Sequence, residues 1–239
     1  MMAHLPHTTS ERELLRRHVE AVWWLSLPPL DGEHVTLPAA GAQPPWALYL
    51  GAFYDGEQPI GRVHLWRHDV PAMERVRLAT QADAALAQLP EAPLPDGVER
   101  EVALIQTAAP AFSRDAAARI ARPLTAADRP LLAAFWPGEE DDLLDPIRAP
   151  LYGVVVDDRL LTLAHSSRRT PHARELGIDT LPEGRRRGYA LAATLLWAAA
   201  VAAEGIIPFY SARADNTASL ALAHAAGYRP FAAGASIHI

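Results

Sequence analysis

The residues from Glu175 to Ala190, ELGIDTLPEGRRRGYA, combine types and spacing that could hold an anion. Glu175 to Thr180 reads as a short strand and Leu181-Pro182-Glu183-Gly184 as a loop. Arg185-Arg186-Arg187-Gly188-Tyr189-Ala190 then opens a long apolar helix. The first N–H groups of a helix have no partner within it, and the helix dipole favours negative charge there. Gly188 carries no Cβ, so a phosphate could approach its backbone closely, and Ala190 keeps the same face small. The plainer alternative for the three arginines is a solvated helix start.

The rest of the composition narrows the chemistry. The chain has 239 residues, half of them apolar, enough for one large domain or two small ones with a substantial core. With no Cys there is no disulfide, thiol nucleophile or thiolate-bound metal. All 22 basic residues are Arg, which excludes a Walker P-loop, a Schiff-base lysine and a kinase-type lysine. A net charge of −6 argues against a general nucleic-acid role. The ten His are scattered without a His-Glu-x-x-His pattern, so no metal is expected. The opening MMAHLPHTTS lacks a leader pattern, and the longest apolar stretch, Tyr189 to Ala203, is shorter than the roughly 20 residues of a membrane span. A soluble cytoplasmic protein without a membrane partner is expected.

The elements that must position the anion-binding turn follow from periodicity and punctuation. Ser10-x-x-Glu13 opens a helix to about Leu25, ended by Trp23-Trp24 and Pro28-Pro29, with the tryptophans expected to pack between two halves of the chain. A Pro-rich loop runs to Pro45. Trp46 to Tyr54 and Pro59 to Arg67 form a hairpin about Asp55-Gly56. A helix over Ala72 to Leu89, a linker through Gly97, a strand over Val98 to Gln106 and a short helix near Arg114 to Arg119 complete residues 1–120, a smaller α+β region. Residues 121–239 start with a strand, Ile120 to Leu124, and a helix capped by Thr125-x-x-Asp128. An acidic loop, Pro137 to Asp145, follows, then a hairpin of Tyr152 to Val156 with Leu160 to His165. The helix to Ala203 is apolar all round, so it must be covered on several sides, and a mixed sheet with helices on both faces (α/β, α+β) does that. The acidic loop reads as solvated surface or as a field that steers a cationic acceptor.

Arg185-x-x-Gly188-x-Ala190 after a strand resembles the Arg/Gln-x-x-Gly-x-Gly/Ala signature of the GNAT superfamily of acyl-CoA-dependent N-acetyltransferases. Downstream, a strand over Ile206 to Ala212, Asn216-x-x-Ser219 opening a helix, and Gly227-Tyr228 before a last strand are similar to the C-terminal half of that family. The resemblance is specific from about Ile178 to Tyr228, extends back to about Ala121, and leaves the first 120 residues open as a worn copy of the same fold or a lid over the acceptor.

The resemblance implies a GNAT-like domain over 121–239 that moves an acetyl group from acetyl-CoA to a small-molecule amine or amino acid derivative. It implies a pantetheine arm along Ile178, Asp179 and Thr180, with an N–H near Ile178 polarising the thioester carbonyl. It places the pyrophosphate on the amides of Arg185, Arg186, Arg187, Gly188, Tyr189 and Ala190. Asn216, with Ser219, would reach the arm or cap the last helix. Such a transfer needs a proton acceptor, an oxyanion donor and a proton for the thiolate, and no covalent enzyme intermediate. Glu175 stands near a position where some members keep a catalytic Glu, and a water chain is the alternative. The family's usual thiolate acid, a Tyr four positions before the Gly-Phe/Tyr pair, is here Ala223, so His224 and Tyr210 are the substitutes. Two rivals stay open: an acyl-CoA-binding protein without catalysis, and a transferase of a longer acyl group. The chain is expected as a monomer or homodimer.

Overall fold

A computed structural model of the chain describes residues 9–56 and 58–239. The start of the sequence, with its lack of a leader pattern, lies largely outside the described residues. In chain order the elements are α1 (Glu11–Trp23), β1 (His34–Thr36), β2 (Trp46–Asp55), β3 (Gln58–Trp66), α2 (Ala72–Ala87), β4 (Val98–Gln106), α3 (Arg114–Ala118) and β5 (Arg122–Pro123). There follow α4 (Arg129–Phe135), α5 (Glu140–Leu144), β6 (Tyr152–Val156), β7 (Arg159–Arg169), β8 (Ala173–Thr180), α6 (Tyr189–Ala203), β9 (Ile207–Arg213), α7 (Thr217–Ala225) and β10 (Tyr228–His238). Among the described residues no helix is long and apolar enough to cross a membrane. The chain divides into two compact units.

One unit holds the described residues up to Ile105, together with Tyr210–Ala221 and Arg229–Ile239. Its strands run in the order β1-β3-β2-β10-β4. The β2–β3 hairpin is antiparallel, β10 joins β2 antiparallel, and β1 lies parallel to β3. Side chains alternate along β2, so its two faces meet different helices. Gly51 leaves room for Leu15 of α1, while Leu48 and Leu50 join Leu78, Ala82 and Ala85 of α2 in one core. Ser10 caps α1 by accepting from the Glu13 N–H, and α1 ends at Trp23, with Trp24 in the left-handed region. Trp23 packs edge-on to Trp46 within this unit, and Trp24 is exposed, so the expectation that the pair packs between two halves fails for Trp24. The Pro-rich loop contains β1, a strand that three residues in a loop composition do not announce.

The other unit holds Gln106–Phe209 and Leu222–Tyr228. Its strands run from the start of β9 through β8, β7 and β6 to β5. β5–β6, β6–β7 and β7–β8 are antiparallel and β8–β9 is parallel, giving a mixed sheet with helices packed on it. Thr125 and Asp128 form a reciprocal capping box, but the strand expected over Ile120 to Leu124 shrinks to two residues. The acidic stretch is not a loop. Residues Glu140–Leu144 form a helix because Leu143 buries against Leu132, Phe135 and Leu163, and because Asp141 and Asp142 pair with Arg129 and Arg148. On the opposite face of the sheet lies α6, buried from Leu191 through Ala198. Trp197 Nε1 donates to Ser166 Oγ at 3.2 Å, and Arg174 of β8 forks onto Glu204 at 2.7 and 3.0 Å.

Candidate active site

Among the described residues, β8 pairs with β9 only over its first three residues. Its parallel register with β9 covers Ala173, Arg174 and Glu175 against Ile207, Pro208 and Phe209. On the other side β7 accompanies it to Thr180. The direction of each peptide group follows from the bonds to β7 and its flanks. Ala173 O accepts from Thr170 N–H at 2.8 Å, Glu175 O accepts from Ser167 Oγ at 3.2 Å, and Leu181 N–H donates to Leu161 O at 2.9 Å. Peptide groups alternate along a strand, so Ile178 and Thr180, beyond the register with β9, present their N–H and C=O away from β7. Thr180 O already accepts from Arg185 Nε at 3.4 Å. The Ile178 N–H therefore points where an extended ligand could pair as a further strand.

The edge leads directly into the turn before α6. A short 3-10 turn, Pro182–Gly184, is followed by Arg186 at φ 58° and Gly188 at φ 78°, and α6 begins at Tyr189 with no side-chain cap. The first N–H groups of α6 are thus left for water or a ligand. Gly188 is required twice over. Its φ is left-handed, and a Cβ there would stand 3.1 Å from Phe112 Cζ. Arg185, Arg186 and Arg187 are exposed, with no ion-pair partner among the described residues.

The remaining candidates fall into three settings. Glu175 is 2% exposed on the β8 face opposite the one bearing Arg174. Asp179 lies further along that face, and loss of water pushes its carboxyl above the usual range. Tyr210, Asn216 and Ser219 form a local cluster in the unit that contains β2. There Tyr210 Oη lies 2.9 Å from Ser219 Oγ, and Ser219 N–H donates to Asn216 Oδ1 at 3.1 Å. Asn216 thus acts as the N-cap of α7. His224 is exposed in the last turn of α7, and Ala223 beside it is wholly buried.

Reading the sequence misses one residue of this region. His165 of β7 is 5% exposed and stands opposite Gly177 of β8. A Cβ at Gly177 would touch its Nε2 and lie 2.7 Å from Cε1. Burial first, and then the nearby Arg148 charge, lower its pKa to about 4, so the imidazole is neutral at neutral pH. The only sequence sign is a His placed mid-strand in an apolar run, opposite a Gly whose pairing must first be known.

A strand edge thus runs into an uncapped, glycine-started helix beside three exposed arginines. Residues 152–232 match the family model of the GNAT acetyltransferases. In shape the chain is similar to a GNAT-family protein from Novosphingobium aromaticivorans, at 25% identity and TM-score 0.46, over 62% of this chain and 69% of that one. It is also similar to a GNAT-family acetyltransferase from Colwellia psychrerythraea, at 14% identity and TM-score 0.46, over 59% of this chain and 56% of that one. The chain thus spans 69% and 56% of the length of these two relatives. A sequence comparison with curated proteins finds no match. No group of three or more metal-ligating side chains occurs among the described residues.

Proposed function

We propose that the protein is an N-acetyltransferase that moves the acetyl group of acetyl-CoA to the amine of a small molecule by direct attack. The observation that carries this reading is the open edge of β8, whose Ile178 N–H stands upstream of the Gly188 turn. An acyl-pantetheine arm pairing along Ile178 to Thr180 has its carbonyl polarised by that N–H, while Arg185 to Ala190 receive its pyrophosphate. The arm and turn fix the thioester on one line, which supplies orientation without covalent catalysis. A second reading, an acyl-CoA-binding protein without turnover, is favoured by the buried Ala223 and by the engagement of the Tyr210 hydroxyl with Ser219. Calorimetric titration with acetyl-CoA, beside Gly188→Glu, tests the site. Binding by the unmodified chain that is lost in a folded variant supports it, and no binding at millimolar ligand and low salt removes it. Release of coenzyme A with a panel of primary amines then separates transferase from binding protein.

A further inference from the structure

The face of β8 that carries Glu175, Gly177 and Asp179 also carries the His165 ring, because directly opposed residues of an antiparallel pair share a face. The imidazole lies against the Gly177 backbone, one residue before the Ile178 N–H. Its other flank meets Trp136 edge-on, with ring centroids 5.8 Å apart. Beside it opens a cavity of about 500 Å³ lined by Trp136, Pro137, Glu139, Asp142, Arg148 and His165. His165 Nδ1 is shut off from water, with no hydrogen-bond partner among the described residues. Arg148 is held by Asp142 at 2.7 Å and donates to Ser167 O at 2.7 Å, so that pair is internally neutral. Glu139 has no ion-pair partner among the described residues and leaves the cavity with a net negative charge.

We propose that this cavity receives the acceptor, a primary amine on a compact apolar body, and that His165 takes its proton. The inference rests on the N-acetyltransferase reading above. Glu139 draws the ammonium form to the mouth, and Trp136 and Pro137 face the apolar body. The ammonium first gives one proton to solvent water at the mouth; the neutral amine nitrogen then forms a bond to the thioester carbonyl carbon, and one of its remaining protons passes to the imidazole as the new N–C bond makes that nitrogen acidic. The C–S bond breaks with its electron pair on sulfur, and the imidazolium returns the proton to the thiolate. Amide and free thiol result, and His165 is neutral again. The same ring thus serves as base and as acid, which accounts for a transferase whose usual acid position is a buried Ala223.

The test uses the full chain, saturating acetyl-CoA, and phenylethylamine, cadaverine and alaninamide as probes. His165→Gln should lower kcat about 100-fold or more while acetyl-CoA binding by calorimetry is unchanged. Glu139→Gln should raise KM for phenylethylamine with kcat nearly kept. Wild-type turnover with kcat undiminished in His165→Gln overturns the role of His165 and leaves the transferase reading standing. Failure of the wild-type chain to bind acetyl-CoA, or to acetylate any of the three amines, overturns that reading and this one with it. Should His165→Gln not fold, phenylethylamine is added to the acetyl-CoA-saturated wild-type chain labelled with ¹⁵N-histidine. Displacement of one Nε2 resonance is expected, and its absence overturns the assignment.

Discussion

His165 and Gly177 face each other across β7 and β8, and the imidazole fills the space a side chain at 177 would need. Gly177→Ala must therefore push the ring toward Trp136. Such overpacking costs about 1–3 kcal/mol. Urea denaturation should show that loss, and His165→Ala should absorb most of it in the double variant, because the two changes share one contact. Additive losses in the double variant would mean that the ring does not meet Gly177.

The same burial makes stability depend on pH. The His165 pKa is lowered to about 4 in the fold, against 6.5 unfolded, so between these values the unfolded chain binds the additional proton. Stability from this residue is full above the unfolded value and falls as pH drops toward the folded one. Linkage puts the loss at about 2 kcal/mol between pH 7 and pH 5. Denaturation midpoints at those two pH values should differ clearly in the wild-type chain and less in His165→Gln, where His64, also lowered by burial, keeps a share of the dependence. The depressed Asp128 carboxyl, held by Arg122, acts only at lower pH, below the ordinary Asp range.

Much of the fold was legible because its signals are local. Trp46–Asp55 and Val98–Gln106 alternate or run apolar between turn residues, and Ser10 and Thr125 mark helix starts by their own side chains. The turn before α6 was legible for the same reason, since Gly188 and three arginines adjoin. What stayed hidden depends on pairing. α5 reads as bare acid until Leu143 has a core to enter and Asp142 has Arg148 beside it. His165 reads as the end of a strand that in fact runs on to Arg169, and its contact with Gly177 requires the β7–β8 register. The open edge of β8 depends on where β9 stops pairing with it, which no residue type announces.

Arg100 supports a different prediction, in the unit that contains α2. The residue is 7% exposed, and its guanidinium donates to the carbonyls of Ala85, Gln88, Leu89, Pro90 and Ala92 at 2.9–3.1 Å. These oxygens include ones that the end of α2 leaves without helical partners. Arg100→Ala strands them, at a cost of about 3 kcal/mol or more. Arg100→Lys should recover little, since an ammonium cannot span five acceptors laid out for a planar fork. Thermal melts of both variants check this, and a lysine variant near wild type would refute the fork argument.

The last prediction concerns the arginines before α6. Arg185, Arg186 and Arg187 are exposed, so whatever charge they lend a bound pyrophosphate is screened by salt. The backbone N–H groups of the turn are not mobile charges, and their contribution should survive. Calorimetry of acetyl-CoA at low and at half-molar salt should show the wild-type Kd rising steeply. In a variant with all three changed to Gln, affinity should be lower at low salt and nearly flat with salt. The two proteins should converge at high salt, where only the Gly188 turn and the β8 edge still hold the ligand. Parallel salt curves would assign the electrostatic attraction to other groups and leave the three arginines as a solvated helix start.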